Sequence, residues 1–458
     1  MRPCFVGRVR EWVVGRTGRP AWRSVHDREI FRLALPAFGA LIAEPLYLLA
    51  DTAIVGHLGT HQLGGIAIAA IVLTAVFGIF NFLAYTTTST VARHIGAENP
   101  RAAAEHGIDG LWLATALGLA LMAFGIAAVP LIVRAMGASD AVQPFASEYL
   151  RLSLLGAPFV LFALASAGYL RGLQDTRTTL YVAVGANVLN IALELFFVYT
   201  LHAGIAGSAW GTVLAQIAGA FVFLAIVTRR ARKAGASLRP RKQGIQASAV
   251  VGSQLIVRTG SLLAALLVTT AIAARISDIA LAAHQIAFQI WLFLALALDA
   301  IAIAGQALVG RYLGASDART ARNVSRRMLQ LGVAAGLSLG VLVVISRPWL
   351  ASAFTDDVRV RAQTEQILWF VAALQPVAAA VFVFDGILIG AGDARYLALA
   401  MVVASLAYGV LLAILASVDV TLAWLWAAFT LWMLFRWLGL FARFRTDRWA
   451  VIGGTTPR

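Results

Sequence analysis

Twelve long apolar runs, bounded by Gly, Pro or charged residues, constrain this 458-residue chain more than any other feature. They fall near 33–57, 63–92, 108–133, 147–170, 178–201, 204–228, 248–274, 281–309, 325–346, 363–389, 395–416 and 420–442. A helix crosses bilayer hydrocarbon with about 20 apolar residues. No water is available there, so each backbone polar group must pair within its own segment. Twelve crossings use roughly 240 residues and leave short loops with no room for a large soluble domain. With 60% apolar and 13% charged residues, the chain is neither an ordinary water-soluble protein nor a disordered one. The expectation is an all-α polytopic membrane protein whose first partner is the lipid bilayer.

A formal charge of +15 would suggest nucleic acid in a soluble protein, but its location decides here. Of the 37 Lys and Arg, 29 lie on the side shared by the N-terminus, the middle of the chain and the C-terminus, called the basic face below. Only Arg134, Arg275, Arg347, Arg359 and Arg361 lie in the opposite loops, while Arg151, Arg258 and Arg436 fall within or at the edges of spans. The positive-inside rule then places both termini in the cytoplasm of a plasma (inner) membrane and excludes nucleic acid as a partner. Residues 1–32 read as a basic cytoplasmic tail without the apolar core of a signal peptide. Two readings stay open for residues 1–25: a tail lying on anionic lipid, or a stretch upstream of the true start. Cys4, a single cysteine, excludes a disulfide framework and a Cys-based metal site. The histidines, His57, His61, His106, His202 and His284 among them, stand at loops or span ends without metal-ligand spacing.

The polar stretch 229–247 divides the chain into a bundle over 33–228 and a bundle over 248–442, followed by a cytoplasmic tail at 443–458. The two bundles repeat one another. "ARHIGAENPRAA" matches "GRYLGASDARTA", pairing Arg93 with Arg311 and Gly96 with Gly314, and "YLRGLQDTR" matches "ILIGAGDAR", pairing Gly172 with Gly390 and Asp175 with Asp393. Each pairing has an offset of 218 residues, as does the match of "DTAIVGHLG" to "TTAIAARIS". Six spans per copy make the repeat parallel, related by an axis along the membrane normal, with a central cleft as the substrate path.

Ionisable groups in hydrocarbon cost several kcal/mol and mark function by default. Glu44, Tyr47 and Asp51 share one helix face at i, i+3, i+7, and Asn187, Asn190 and Glu194 repeat that spacing on another span. At about 1.5 Å per residue, Asp51, Glu194 and Thr212 lie roughly 9–12 Å from the face opposite the termini. Asp51, Asn190, Glu194 and Thr212 are therefore expected to form a cation-coupling site for H+ or Na+, with no other cofactor. Pro36 and Pro45 kink the first span and supply a hinge beside Asp51. The second copy carries Thr269 opposite Asp51 and Leu412 opposite Glu194, so the copies differ in function. Its one buried cation is expected to be Arg258, paired at equal depth with Asp299, while Asp385 sits near the end of its span, where water or a loop solvates it, in a gate or capping role. With Glu44, Tyr47 and Asn187, these three are expected at the substrate cavity or its gate.

"LPAFGALIAEPLYLLADTAIVGHLG", "IGAENPRAA", "YLRGLQDTRTTL", "NVLNIALELFFV", "GIAGSAWGTVLAQ" and "LDAIAIAGQALVGRYLGA" together resemble the multidrug and toxic compound extrusion (MATE) transporters. "ALDAIAIAGQALVG" and "FVFDGILIGAGDAR" point to the DinF-like branch. The resemblance, running from about residue 30 to 442, implies two six-helix bundles around a V-shaped cleft. It also implies rocking exchange of cationic or amphipathic small molecules against H+ or Na+, by a monomer and not an enzyme. Carried over by position, the family's cation-site groups fall on Asp51, Asn190, Glu194 and Thr212, with Glu194 standing where the family has Asp, and Tyr149 lines the same cavity. A lipid-linked precursor flippase of the same superfamily is the alternative, expected to show a more cationic cleft. An intramembrane transferase would need an acidic metal-binding cluster, and Asp356 and Asp357 lack a partner acid three residues on.

Overall fold

The computed structural model describes residues 26–418 and 420–454. Cys4 and most of the basic tail, residues 1–25, lie outside them. The first lobe comprises α1 (Asp27–Gly56), α2 (Thr60–Ile79), α3 (Phe82–Gly96), α4 (Pro100–Ala135), α5 (Gln143–Leu155), α6 (Ala157–Gly172), α7 (Thr176–Leu195) and α8 (Gly204–Lys233). The second comprises α9 (Lys242–Ile276), α10 (Asp278–Gly314), α11 (Ala318–Phe354), α12 (Val358–Gly390), α13 (Ala394–Leu415) and α14 (Leu422–Arg445). With α2 and α3 forming one span and the bent pair α5 and α6 another, the helices make twelve crossings.

Most helices run beyond their apolar cores, because polar residues at headgroup depth continue a helix as well as apolar ones do. Thus α8 carries its arginines to Lys233 and α9 begins at Lys242, so the basic segment between them shortens to eight residues. Asp109, fully buried on α4, accepts from the Arg241 amide at 2.9 Å and pairs with its guanidinium, which pins the start of α9. Side chains of Asn99, Asp175, Ser277, Asp317 and Asp357 cap the helices that follow them. The apolar pattern did not foresee the 49° bend between α5 and α6, where Gly156 is followed by Pro158, which has no amide to continue the ladder.

Between lipid-facing helices no hydrophobic force acts, so small residues that let backbones approach hold the bundle together. Gly168 of α6 lies against the Ala84 backbone of α3, and Gly386 of α12 lies against the Ala302 backbone of α10. Both contacts recur at the 218-residue offset, so the repeat governs packing as well as sequence. The large apolar core runs through both lobes, while a smaller cluster around Val55, Ile66, Val133, Tyr149 and Ile205 occupies the first lobe toward the face opposite the termini.

Candidate functional site

That smaller cluster walls a polar pocket built from α1, α5, α7 and α8. Asp51, 3% exposed, reaches it from α1 six residues after Pro45. Its Oδ1 accepts from the Ser208 hydroxyl at 2.7 Å and its Oδ2 from the Tyr149 hydroxyl at 3.2 Å. Thr212, one helical turn beyond Ser208 on α8, receives Asn190 Nδ2 at 3.0 Å and meets the Tyr47 hydroxyl at 3.0 Å. Glu194 is fully buried, with Asp51 and Ser208 as its electrostatic neighbours. Neither of its carboxylate oxygens has a hydrogen-bond partner among the described residues, and the same holds for Asn190 Oδ1.

Local sequence explains this placement. Gly211 lets α8 approach α7 so closely that an added Cβ would lie 3.0 Å from the Glu194 amide nitrogen. Two residues after Glu194 the helix widens into a π-turn, Phe196–Thr200, a distortion common at functional sites. Asn187 donates to the Ala43 carbonyl of α1 at 2.8 Å and ties α7 to the stretch just before Pro45. The four cation-site candidates, with Tyr47 and Tyr149, thus meet in one pocket. Glu44, expected on the same face, is exposed and stays outside it.

Two carboxylates buried side by side are costly as long as both are charged. A proton neutralises one of them directly. Na+ would find oxygen donors in Asp51, Glu194, Asn190 and Thr212, the ligand type a hard cation selects. Among the described residues no three His, Cys, Asp or Glu gather into a metal site. In the second lobe the repeat-related positions hold a neutral pair. Thr269 and Tyr408 share a hydrogen bond of 2.8 Å beside buried Leu412 and Trp426.

The structure corrects four expectations here. Arg258 pairs with Asp385 at 2.5 Å and not with Asp299, and Arg436 of α14 meets the same Asp385 oxygen at 3.2 Å. Equal depth put Arg258 and Asp299 at one level but left open which way each helix turns them. Asp299 is half-buried, and its electrostatic neighbours include Arg171 and Tyr85 of the first lobe as well as Arg258. Asp385 is not solvated at a helix end but 6% exposed between two guanidinium groups, because the stretch of α12 from Val383 to Gly390 is buried. Arg258 is also not the one buried cation, since Arg436 and Arg93 are buried too. His284, expected at a span end, is buried against Phe288 and Trp426.

At the basic face the lobes touch. Gly96 of α3 abuts the Arg311 backbone, and Gly314 of α10 abuts the Arg93 backbone. Arg93 donates to the carbonyls of Ala391 at 2.7 Å, Val451 at 3.0 Å and Gly453 at 3.0 Å. Arg311 donates to Gln174 Oε1 at 2.8 Å, and Tyr312 to Glu29 Oε2 at 2.7 Å. Asp27 and Arg327 add an ion pair between α1 and α11 at 2.6 Å. The segment after α14 is anchored by Trp449, whose ring stacks on Phe444, and by the Gly453 amide, which donates to Leu313 O.

Ser208 and Gly211 were not singled out from the sequence. The available signal was the four-residue spacing of Ser208 and Thr212, which sets both hydroxyls on one face of α8.

The family model MatE matches residues 36–196 and 261–415, one segment in each lobe. "Protein DETOXIFICATION 44, chloroplastic" from Arabidopsis thaliana is 33% identical over 425 residues, covering 89% of this chain and 80% of that protein. "DNA damage-inducible protein F" from Escherichia coli (strain K12) is 28% identical over 435 residues, covering 93% of each. Among solved structures, "Crystal structure of MATE in the straight conformation" superposes with a TM-score of 0.84 at 20% identity, over 95% of this chain and 97% of the other. "Outward-facing conformation of a multidrug resistance MATE family transporter of the MOP superfamily" does so with a TM-score of 0.84 at 21% identity, over 92% and 95%. At such identities the structures speak to the fold alone, whereas the family model matches well over half of the chain. The chain therefore belongs to the MATE family of polytopic membrane transporters for efflux of drugs and toxic compounds, and is not an enzyme.

Proposed function

We propose that this transporter is a secondary active antiporter exchanging cationic or amphipathic small molecules for H+ or Na+ by alternating access. The coupling ion binds at Asp51 and Glu194, supported by Asn190 and Thr212. The basic face lies in the cytoplasm of a plasma (inner) membrane, so the contacts there correspond to a form closed to the cytoplasm.

One observation carries the reading: Glu194, buried beside Asp51, has both carboxylate oxygens without a hydrogen-bond partner among the described residues. An acid so placed is costly unless a cation occupies the pair during the cycle. Loading the pair removes charge at the place where α1 meets α7 and α8. Pro45 lies close by and weakens the α1 ladder, so α1 can answer the charge change by bending. The flippase alternative needs positive charge presented to the cleft, whereas Arg258 and Arg436 are buried and held on Asp385 inside the second lobe.

The test is efflux of ethidium or norfloxacin from vesicles under separately imposed proton and Na+ gradients. One of the two gradients should drive wild-type efflux, and Asp51→Ala and Glu194→Gln should remove that dependence. Undiminished coupling in both variants removes the proposal.

A further inference from the structure

Where α1 enters the membrane at the basic face, a cavity of about 1010 Å³ opens between the lobes. Arg28, Phe31, Arg32 and Leu35 follow the i, i+3, i+4, i+7 spacing and form one stripe of α1 along it. Arg177 of α7 closes the cavity on the first-lobe side, and Tyr312 of α10 on the second. Its walls thus change from basic to apolar toward the membrane: Phe31 is 47% and Leu35 64% exposed. Among the described residues, Arg28, Arg32 and Arg177 have no ion pair or side-chain hydrogen bond. Among the described residues the one acid lining it, Glu29, is engaged by Tyr312 and Arg311.

We propose that this cavity is a binding site for an anionic phospholipid. The headgroup phosphate sits among Arg28, Arg32 and Arg177, and an acyl chain lies along Phe31 and Leu35. Three guanidinium groups facing one acid select a negative headgroup, and guanidinium forks fit phosphate oxygens two at a time. The apolar continuation selects a lipid over a free anion. Basic pockets between membrane helices bind anionic headgroups by the same physics. Because Arg177 and Tyr312 belong to different lobes, a lipid seated there touches both sides of the contact at the basic face. The site does not depend on which ion drives transport.

The test uses the full chain carrying Leu35→p-benzoylphenylalanine in nanodiscs of phosphatidylcholine with a minor share of phosphatidylglycerol, with photo-adducts identified by mass spectrometry. Phosphatidylglycerol adducts should be enriched at least tenfold over its share of the mixture. Arg28→Gln, Arg32→Gln and Arg177→Gln should each reduce enrichment roughly fivefold, and together on the order of 100-fold or to the mixture ratio. Unchanged enrichment in the triple variant, with its thermal unfolding also unchanged, overturns the proposal. So does an adduct to residues 1–25, which would make the tail the occupant. No enrichment over the mixture ratio in wild type, with glycerol 1-phosphate binding at millimolar concentration, overturns it as well, in favour of a free anion.

Discussion

Gly96 and Gly314, 218 positions apart, each lie against the backbone of the arginine three residues before the other. Arg311 meets Gly96 and Arg93 meets Gly314, so the contact at the basic face obeys the same twofold relation as the repeat. A side chain at either glycine would have to displace backbone, and such overpacking costs about 1–3 kcal/mol.

Gly314→Leu should therefore hold the lobes apart at the basic face. With spin labels at exposed Glu98 and Ser316 in a Cys4→Ser background, the interlabel distance should lengthen by several ångström and transport should fall at least tenfold. An unchanged distance distribution would show that the glycines are not what allows closure.

Ser208 donates to Asp51 but is not itself ionisable. Removing a hydrogen bond to a charged group costs about 1.5–3 kcal/mol. Ser208→Ala should thus shift the driving-ion concentration for half-maximal exchange by roughly tenfold or more, and Ser208→Thr should restore most of it. Equal values in wild type and Ser208→Ala would place the hydroxyl outside the coupling pocket.

Asp385 answers two buried guanidinium groups, and breaking a buried ion pair from one side costs about 3–5 kcal/mol. Asp385→Ala should lower the melting temperature in detergent more than Arg258→Leu does, because it strands two charges and not one. The reverse order would mean that solvent reaches the arginines.

Asp175, outside the spans, caps α7 through Thr178 and pairs with Arg230 of α8. Burial raises its proton affinity, but the Thr178 hydrogen bonds and the Arg230 guanidinium outweigh that and hold its carboxyl below the ordinary value of 3.8. A depressed folded value stabilises the protein above the unfolded one and loses that contribution as pH falls through it. Asp175→Ala should cost about 1–2 kcal/mol at neutral pH, with the difference from wild type shrinking only below about pH 4 in acid-unfolding curves. A difference that does not change with pH would remove the charge from the explanation.

The acid pocket was legible because carboxylates are expensive in lipid, so Asp51 and Glu194 stood out and helical spacing placed Tyr47 and Asn190 beside them. Ser208 did not stand out, since small residues on α8 are also what close helix packing requires. Arg258 shows the limit of depth arithmetic: rise per residue locates a charge along the membrane normal, but its partner depends on how each helix is rotated. The breaks at Phe80–Asn81 and Gly156 were hidden because apolar composition continues across them. The repeat was legible at the loops, where Gly and Arg recur, and its meaning there became visible only once Gly96 and Gly314 were seen across from each other.

The carbonyls of Val451 and Gly453 that Arg93 holds are synthesised about 360 residues after it. The first lobe must enter the bilayer and wait for the rest of the polypeptide before this brace can form. A premature stop after the last span would spare every crossing while deleting part of the brace. Such a truncated product should insert normally, look correct in any topology assay, and still seal poorly at the basic face.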